Sequence, residues 1–180
     1  MHQTGFFFVI PDDIPDGIFN IGVDVIRMLI RPCDGYNKLR IEVDLSSDVV
    51  MEMWKKLIFI SGLSGVTCVT RASIAEVLDT PETCRMLTAV MREATAVGVA
   101  AGVEIDASYV DNSMAYFREN QESLVSSMFI DLERGNPLEV EILNGAISRY
   151  GKEFGIATPV NDFIASSLTV AHNRAMSRRG

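Results

Sequence analysis

The chemistry-bearing residues of this chain sit in a few short stretches. In "MEMWKKLIFISGLSGVT", Lys56 is the last charge before Arg71. At helical spacing its neighbours are Glu52, Met53, Phe59, Ile60 and Leu63, a mostly apolar set. A lysine there is partly desolvated, which lowers its pKa and suits proton transfer. The same spacing fits a surface lysine paired with Glu52, its stem lying over apolar neighbours. Pattern alone does not choose between Lys55 and Lys56. In "NPLEVEILNGAISRY", Asn136 and Pro137 read as a helix start, with Leu138, Ile142, Leu143, Ala146 and Ile147 following at helical spacing. Glu139 falls in that apolar stripe, where a carboxylate needs a reason. Facing a polar cleft is one; standing at N3 of a capping box behind Asn136 is another. Ser127 in "SSMFIDLERG" offers a hydroxyl, although a serine before such a run is ordinarily an N-cap. Asn144-Gly145 inside a helical pattern calls for a close helix crossing or room for a ligand, since glycine there costs about 1 kcal/mol relative to alanine.

These residues need helices to hold them, and the pattern is helical nearly throughout from Ser46 onward. Ser46 or Ser47 caps "DVVMEMWKKLIFISGLSGV"; residues 72–78 form a short helix. Thr80 caps "PETCRMLTAVMREATAVGVAAG", with Pro81 at the first position and Gly102 past the end. Asp106 starts "ASYVDNSMAYFREN", Ser126 or Ser127 caps "MFIDLERG", Asn136 caps the next helix, and Thr158 caps "PVNDFIASSLTVAHNRAM". Short connections between successive helices predict an all-α bundle. Residues 1–35 do not join it: "GFFFVI" reads as a strand, "PDDIPDGIFNIG" as turns and "KLRIEVDLSS" as a further strand, so a short irregular or β-containing segment precedes the helices. Without a sheet to pair with, residues 1–35 are expected to be the least ordered part of the chain.

The 180 residues suffice for one domain with a real core, and 48% hydrophobic content excludes a disordered or fibrous chain. A formal net charge of −8 with scattered basic residues argues against a nucleic-acid partner. Three cysteines, Cys33, Cys68 and Cys84, make a disulfide framework improbable and fit a reducing, cytoplasmic setting. His2 and His172 stand near opposite ends, so no metal-ligand spacing exists. The longest uncharged run, residues 57–70, is too short to span a bilayer, which excludes a membrane role. No strand is followed by G-x-G-x-x-G, and no G-x-x-x-x-G-K-S/T occurs, so no nucleotide site is visible.

In order and spacing, "WKKL", "SSMFIDLERGNPLEVEILNG" and "GIATPVN" resemble the C-terminal domain of ketopantoate reductase (2-dehydropantoate 2-reductase), over about residues 39–175. The resemblance implies a helical domain at 39–180 and makes 1–38 a remnant of the end of a Rossmann domain. It implies an oxidoreductase of pantothenate biosynthesis, with NADPH in the full-length family and a cleft between a Rossmann domain and the helical one. It places the general-acid lysine at Lys56, the glutamate of the E-x-x-x-x-N-G pattern at Glu139 and a substrate-binding serine at Ser127, with Ser64 and Asn144 joining the substrate-binding set. The family's best-known members carry asparagine four and eight residues after the lysine, where Ile60 and Ser64 stand here. That departure widens the expected substrate to a small 2-oxo acid or ketone.

The Rossmann half is missing from these 180 residues, which reads as a gene fragment, a wrongly joined gene or a free-standing domain. No NADPH binding is expected of this chain alone, and a Rossmann domain is the expected partner. Two functions therefore compete. One is the substrate half of an NADPH-dependent reductase. The other is a non-catalytic helical binding or interaction protein derived from the same family.

Overall fold

The computed structural model describes residues 49–178, which form seven helices with no strand among them. They are α1 (Val49–Thr70), α2 (Ile74–Asp79), α3 (Pro81–Ala100), α4 (Tyr109–Asn120), α5 (Ser127–Arg134), α6 (Asn144–Phe154) and α7 (Pro159–Ser177). The all-α expectation holds. The strand readings of residues 5–10 and 38–47, the cap at Ser46 or Ser47, and the expected disorder of residues 1–35 lie outside the described residues. No helix among the described residues is long and apolar enough to cross a membrane.

α1 is the central helix, touched by α2, α3, α5 and α7. From Leu57 to Thr70 its sequence carries no charge, and residues 61–68 are buried on every side. Leu57, Ile58 and Val66 are wholly buried, each worth about 1.5–3 kcal/mol relative to exposure. Three of the hydroxyls on α1 are satisfied within the helix: Thr67 donates to Leu63 O at 2.7 Å, Thr70 to Val66 O at 2.7 Å, and Ser61 to Leu57 O. Gly62 brings α3 close, since a Cβ there would stand 2.8 Å from Met91 Cγ. Helix α1 closes on Arg71 in a left-handed turn (φ 56°).

Capping accounts for the starts of the shorter helices. Ser73 and Glu76 form a full capping box on α2, and Ser126 accepts the Phe129 N–H at the start of α5. Asp106 accepts from the backbone and side chain of Ser108, a local turn that moves the start of α4 on to Tyr109. α7 is capped from a distance. Its first two N–H groups, of Val160 and Asn161, each meet a Glu93 carboxylate oxygen from α3 at 3.0 Å. Thr158 stands at the N-cap position but makes no side-chain capping bond.

The helix expected from Asn136 is the one element the structure relocates. Asn136 closes α5 instead: its N–H reaches Asp131 O at 2.8 Å, after Gly135 in the left-handed region. Residues 139–143 bend and turn, with Glu139 O accepting from both Ile142 N and Leu143 N, and α6 begins at Asn144. Leu138, Val140 and Leu143 are the residues buried here, at spacings a single helix face cannot present. His172 Nδ1 on α7 pins the loop, lying 3.1 Å from Leu138 N and 2.9 Å from Leu138 O.

Candidate functional site

α1 offers a stripe at every fourth residue: Lys56, Ile60 and Ser64. Lys56 and Ile60 are half-buried, while Ser64 is only 2% exposed. The relocated loop carries Glu139, also half-buried, into electrostatic range of Lys56. Burial pushes the Lys56 pKa below the ordinary lysine value, and the Glu139 carboxylate pulls it part of the way back. The two lysines separate clearly. Lys55 pairs with Glu52 at 3.0 Å, the ion pair that the sequence offered to Lys56. Lys55 also borders an open depression of about 680 Å³ with Glu104 and Asp106, which includes neither Lys56 nor Glu139.

Because the helix does not start at Asn136, Glu139 is not at its N3 position and has no capping box to serve. The loop conformation instead follows from core packing around it, which leaves the carboxylate on the Lys56 side. Ser127 is not the cap either. That role belongs to Ser126, while Ser127 is the exposed first residue of α5. Ser126 Oγ also donates to Ser64 Oγ at 2.9 Å, joining the end of the α1 stripe to the start of α5. Ser64 thus accepts from Ser126, and its own O–H has no acceptor among the described residues.

Asn144 is placed differently from the others. It is wholly buried, with Nδ2 donating to Asn161 Oδ1 at 3.0 Å and lying 3.3 Å from Ser61 O. Asn161 in turn donates to Val90 O at 3.2 Å and to Glu93 Oε2 at 2.8 Å. This chain of amides ties α1, α3, α6 and α7 together. Gly65 makes room for it, since a Cβ there would meet Asn144 Oδ1 at 2.8 Å. Asn144 Oδ1 itself has no hydrogen-bond partner among the described residues.

Sequence reasoning named Ser126 only as one of two cap choices, and it missed Glu93, Asn161 and His172. Asn161 lies in the quoted "GIATPVN", so it carried a signal. Glu93 acts 67 and 68 residues away from its partners, and no local pattern shows that. Chemically, the stripe supplies a partly desolvated ammonium beside a carboxylate, an apolar step, and a hydroxyl pair at the far end.

The sequence signature described as "Ketopantoate reductase PanE/ApbA C terminal" matches residues 48–172. The 2-dehydropantoate 2-reductase of Archaeoglobus fulgidus is 34% identical over 115 residues, covering 64% of this chain and 38% of that protein. That of Caulobacter vibrioides is 33% identical over 132 residues, covering 73% and 44%. A dimeric ketopantoate reductase from Staphylococcus aureus superposes with a TM-score of 0.71 at 26% identity, covering 76% of this chain and 48% of that one. The chain therefore spans less than half the length of the curated relatives it matches.

Proposed function

The chain belongs to the ketopantoate reductase family, as its C-terminal domain, and from that premise we propose that it is the substrate half of a 2-oxo acid reductase. Residues 39–180 constitute that half, and residues 1–38 are a remnant of the end of a Rossmann domain. NADPH is the reductant the family implies, and its chemistry when bound is hydride transfer to the ketone carbon. The described residues include no strand, glycine turn and helix to cradle a pyrophosphate. They do not fit the dinucleotide, so its binding falls to a Rossmann partner domain. The wider setting we infer is pantothenate formation in the cytoplasm.

Lys56 carries the proposal: a half-buried ammonium on the central helix, within electrostatic range of the Glu139 carboxylate. Lys56 donates a hydrogen bond to the ketone oxygen and then its proton as that oxygen becomes an alkoxide. Glu139 keeps the lysine charged against the pull of desolvation and accepts from the substrate. Ser127, exposed at the first turn of α5, and Ser64, with its uncommitted O–H, hold the substrate's polar end. Asn144 is buried and acts as a positioning residue, fixing α6 against α1 through Ser61.

The test supplies the full chain with a cognate Rossmann domain and follows NADPH consumption with 2-dehydropantoate. Lys56→Ala is expected to lower kcat by roughly 10²–10⁴, the usual worth of positioned proton transfer. Lys55→Ala should change little, because consecutive helical residues point about 100° apart. Equal effects of the two substitutions would refute the assignment.

A further inference from the structure

Resting on the site reading above, we propose that His172 is a positioning residue: it grips the backbone of Leu138 and thereby holds Glu139 toward Lys56. His172 is half-buried on α7, 34 positions after Leu138. Its Nδ1 stands 3.1 Å from Leu138 N and 2.9 Å from Leu138 O. One ring nitrogen thus reaches both backbone polar atoms of the residue that directly precedes Glu139. It accepts from the amide in one neutral tautomer, and it donates to the carbonyl in the other or when the ring is charged.

The loop's backbone is held at three successive residues. Leu138 meets His172, Glu139 O accepts from Ile142 N and Leu143 N at 3.2 Å each, and Val140 O accepts from Gly145 N at 2.9 Å. The last two holds join backbone to backbone within the loop and the start of α6. The histidine alone of the three ties the loop to α7. Leu138 and Val140 are both buried, which presents the residue between them away from the core. Glu139 is the carboxylate that acts on Lys56, because Glu52, one turn earlier on α1, is taken by Lys55. Without the grip on Leu138, the turn at Glu139 keeps its own bonds but loses its tie to α7, and the carboxylate is no longer fixed relative to α1. A histidine serving only the fold would change Tm and leave Lys56 titrating as before.

The experiment reads Lys56 itself. The sequence holds four lysines, Lys38, Lys55, Lys56 and Lys152, so the full chain grown on isotope-labelled lysine gives four Cε signals, and Lys56→Arg removes and so assigns one. Glu139→Gln should lower the pH midpoint of that signal, since the carboxylate raises the Lys56 pKa. His172→Ala and His172→Phe should lower it in the same way. His172→Asn, whose amide offers a donor and an acceptor where Nδ1 stood, should bring it back toward the wild-type midpoint. In a Glu139→Gln chain, His172→Ala should shift nothing further. The phenylalanine variant fills the ring's space, so a folding defect in His172→Ala does not decide the outcome, and each variant's native amide spectrum reports its fold. A wild-type midpoint in the folded Ala or Phe variant, no recovery in His172→Asn, or a further shift in the Glu139→Gln chain would overturn the inference. An unmoved midpoint in Glu139→Gln would overturn the pairing of Lys56 with Glu139, and this inference with it. The measurement needs no turnover, so a failure of the chain with its Rossmann domain to reduce 2-dehydropantoate would count against the reductase reading alone.

Discussion

Glu93→Ala is the substitution whose consequence follows most directly from the structure. The carboxylate accepts from Val160 N and Asn161 N at 3.0 Å each and from Asn161 Nδ2 at 2.8 Å. Pro159 has no N–H, so these two backbone donors are the first that α7 presents, and Thr158 contributes no side-chain cap. Losing a helix N-cap costs about 1 kcal/mol. Losing a negative charge at the positive end of the helix costs about 0.3–1 kcal/mol more. The third bond is charge-assisted, worth about 1.5–3 kcal/mol, but Asn161 Nδ2 keeps Val90 O at 3.2 Å, so the lower end applies. The total is about 3 kcal/mol. For a domain of this size that lowers Tm by roughly 6–12 °C. Glu93→Gln retains one acceptor oxygen and should cost about half as much. Urea unfolding of the three proteins, monitored by helical circular dichroism, measures the difference. Because Glu93 and Asn161 share one network, Glu93→Ala and Asn161→Ala should also be sub-additive when combined. A loss below about 0.5 kcal/mol for Glu93→Ala would show that the distant cap does not hold α7 in place.

Other expectations concern the site and the cysteines. Glu139→Gln, in the chain supplied with a Rossmann domain, should lower kcat, read by NADPH consumption. The proton donor must be charged, so activity falls as pH rises through the Lys56 pKa. Removing the carboxylate that raises this pKa should move that alkaline limb to lower pH; an unmoved limb would separate Glu139 from Lys56. Burial pushes the Cys68 thiol up to about 12, so alkylation of the native protein near pH 8, read by peptide mapping, should label Cys84 well before Cys68. Similar labelling rates before unfolding would contradict the packing around α1.

Local pattern was enough wherever a helix is its own explanation. The uncharged run from Leu57 in α1, Pro81 at the start of α3, and Gly102 just past its end predict those elements because capping and periodicity act within a few residues. Motif order likewise pointed to the family, and it singled out Lys56 and Glu139. The route from Asn136 to Asn144 could not be read this way. Its residues have helical spacing, yet Asn136 closes α5, His172 holds Leu138, and the core takes Leu138, Val140 and Leu143. Burial of those three side chains outweighs a preference of a few tenths of a kcal/mol per residue for continuing a helix. The difference between the two adjacent lysines is also tertiary. Lys55 turns to Glu52 on its own helix, whereas Lys56 lies in the electrostatic range of a carboxylate 83 positions later in the chain, on a loop whose shape the core dictates.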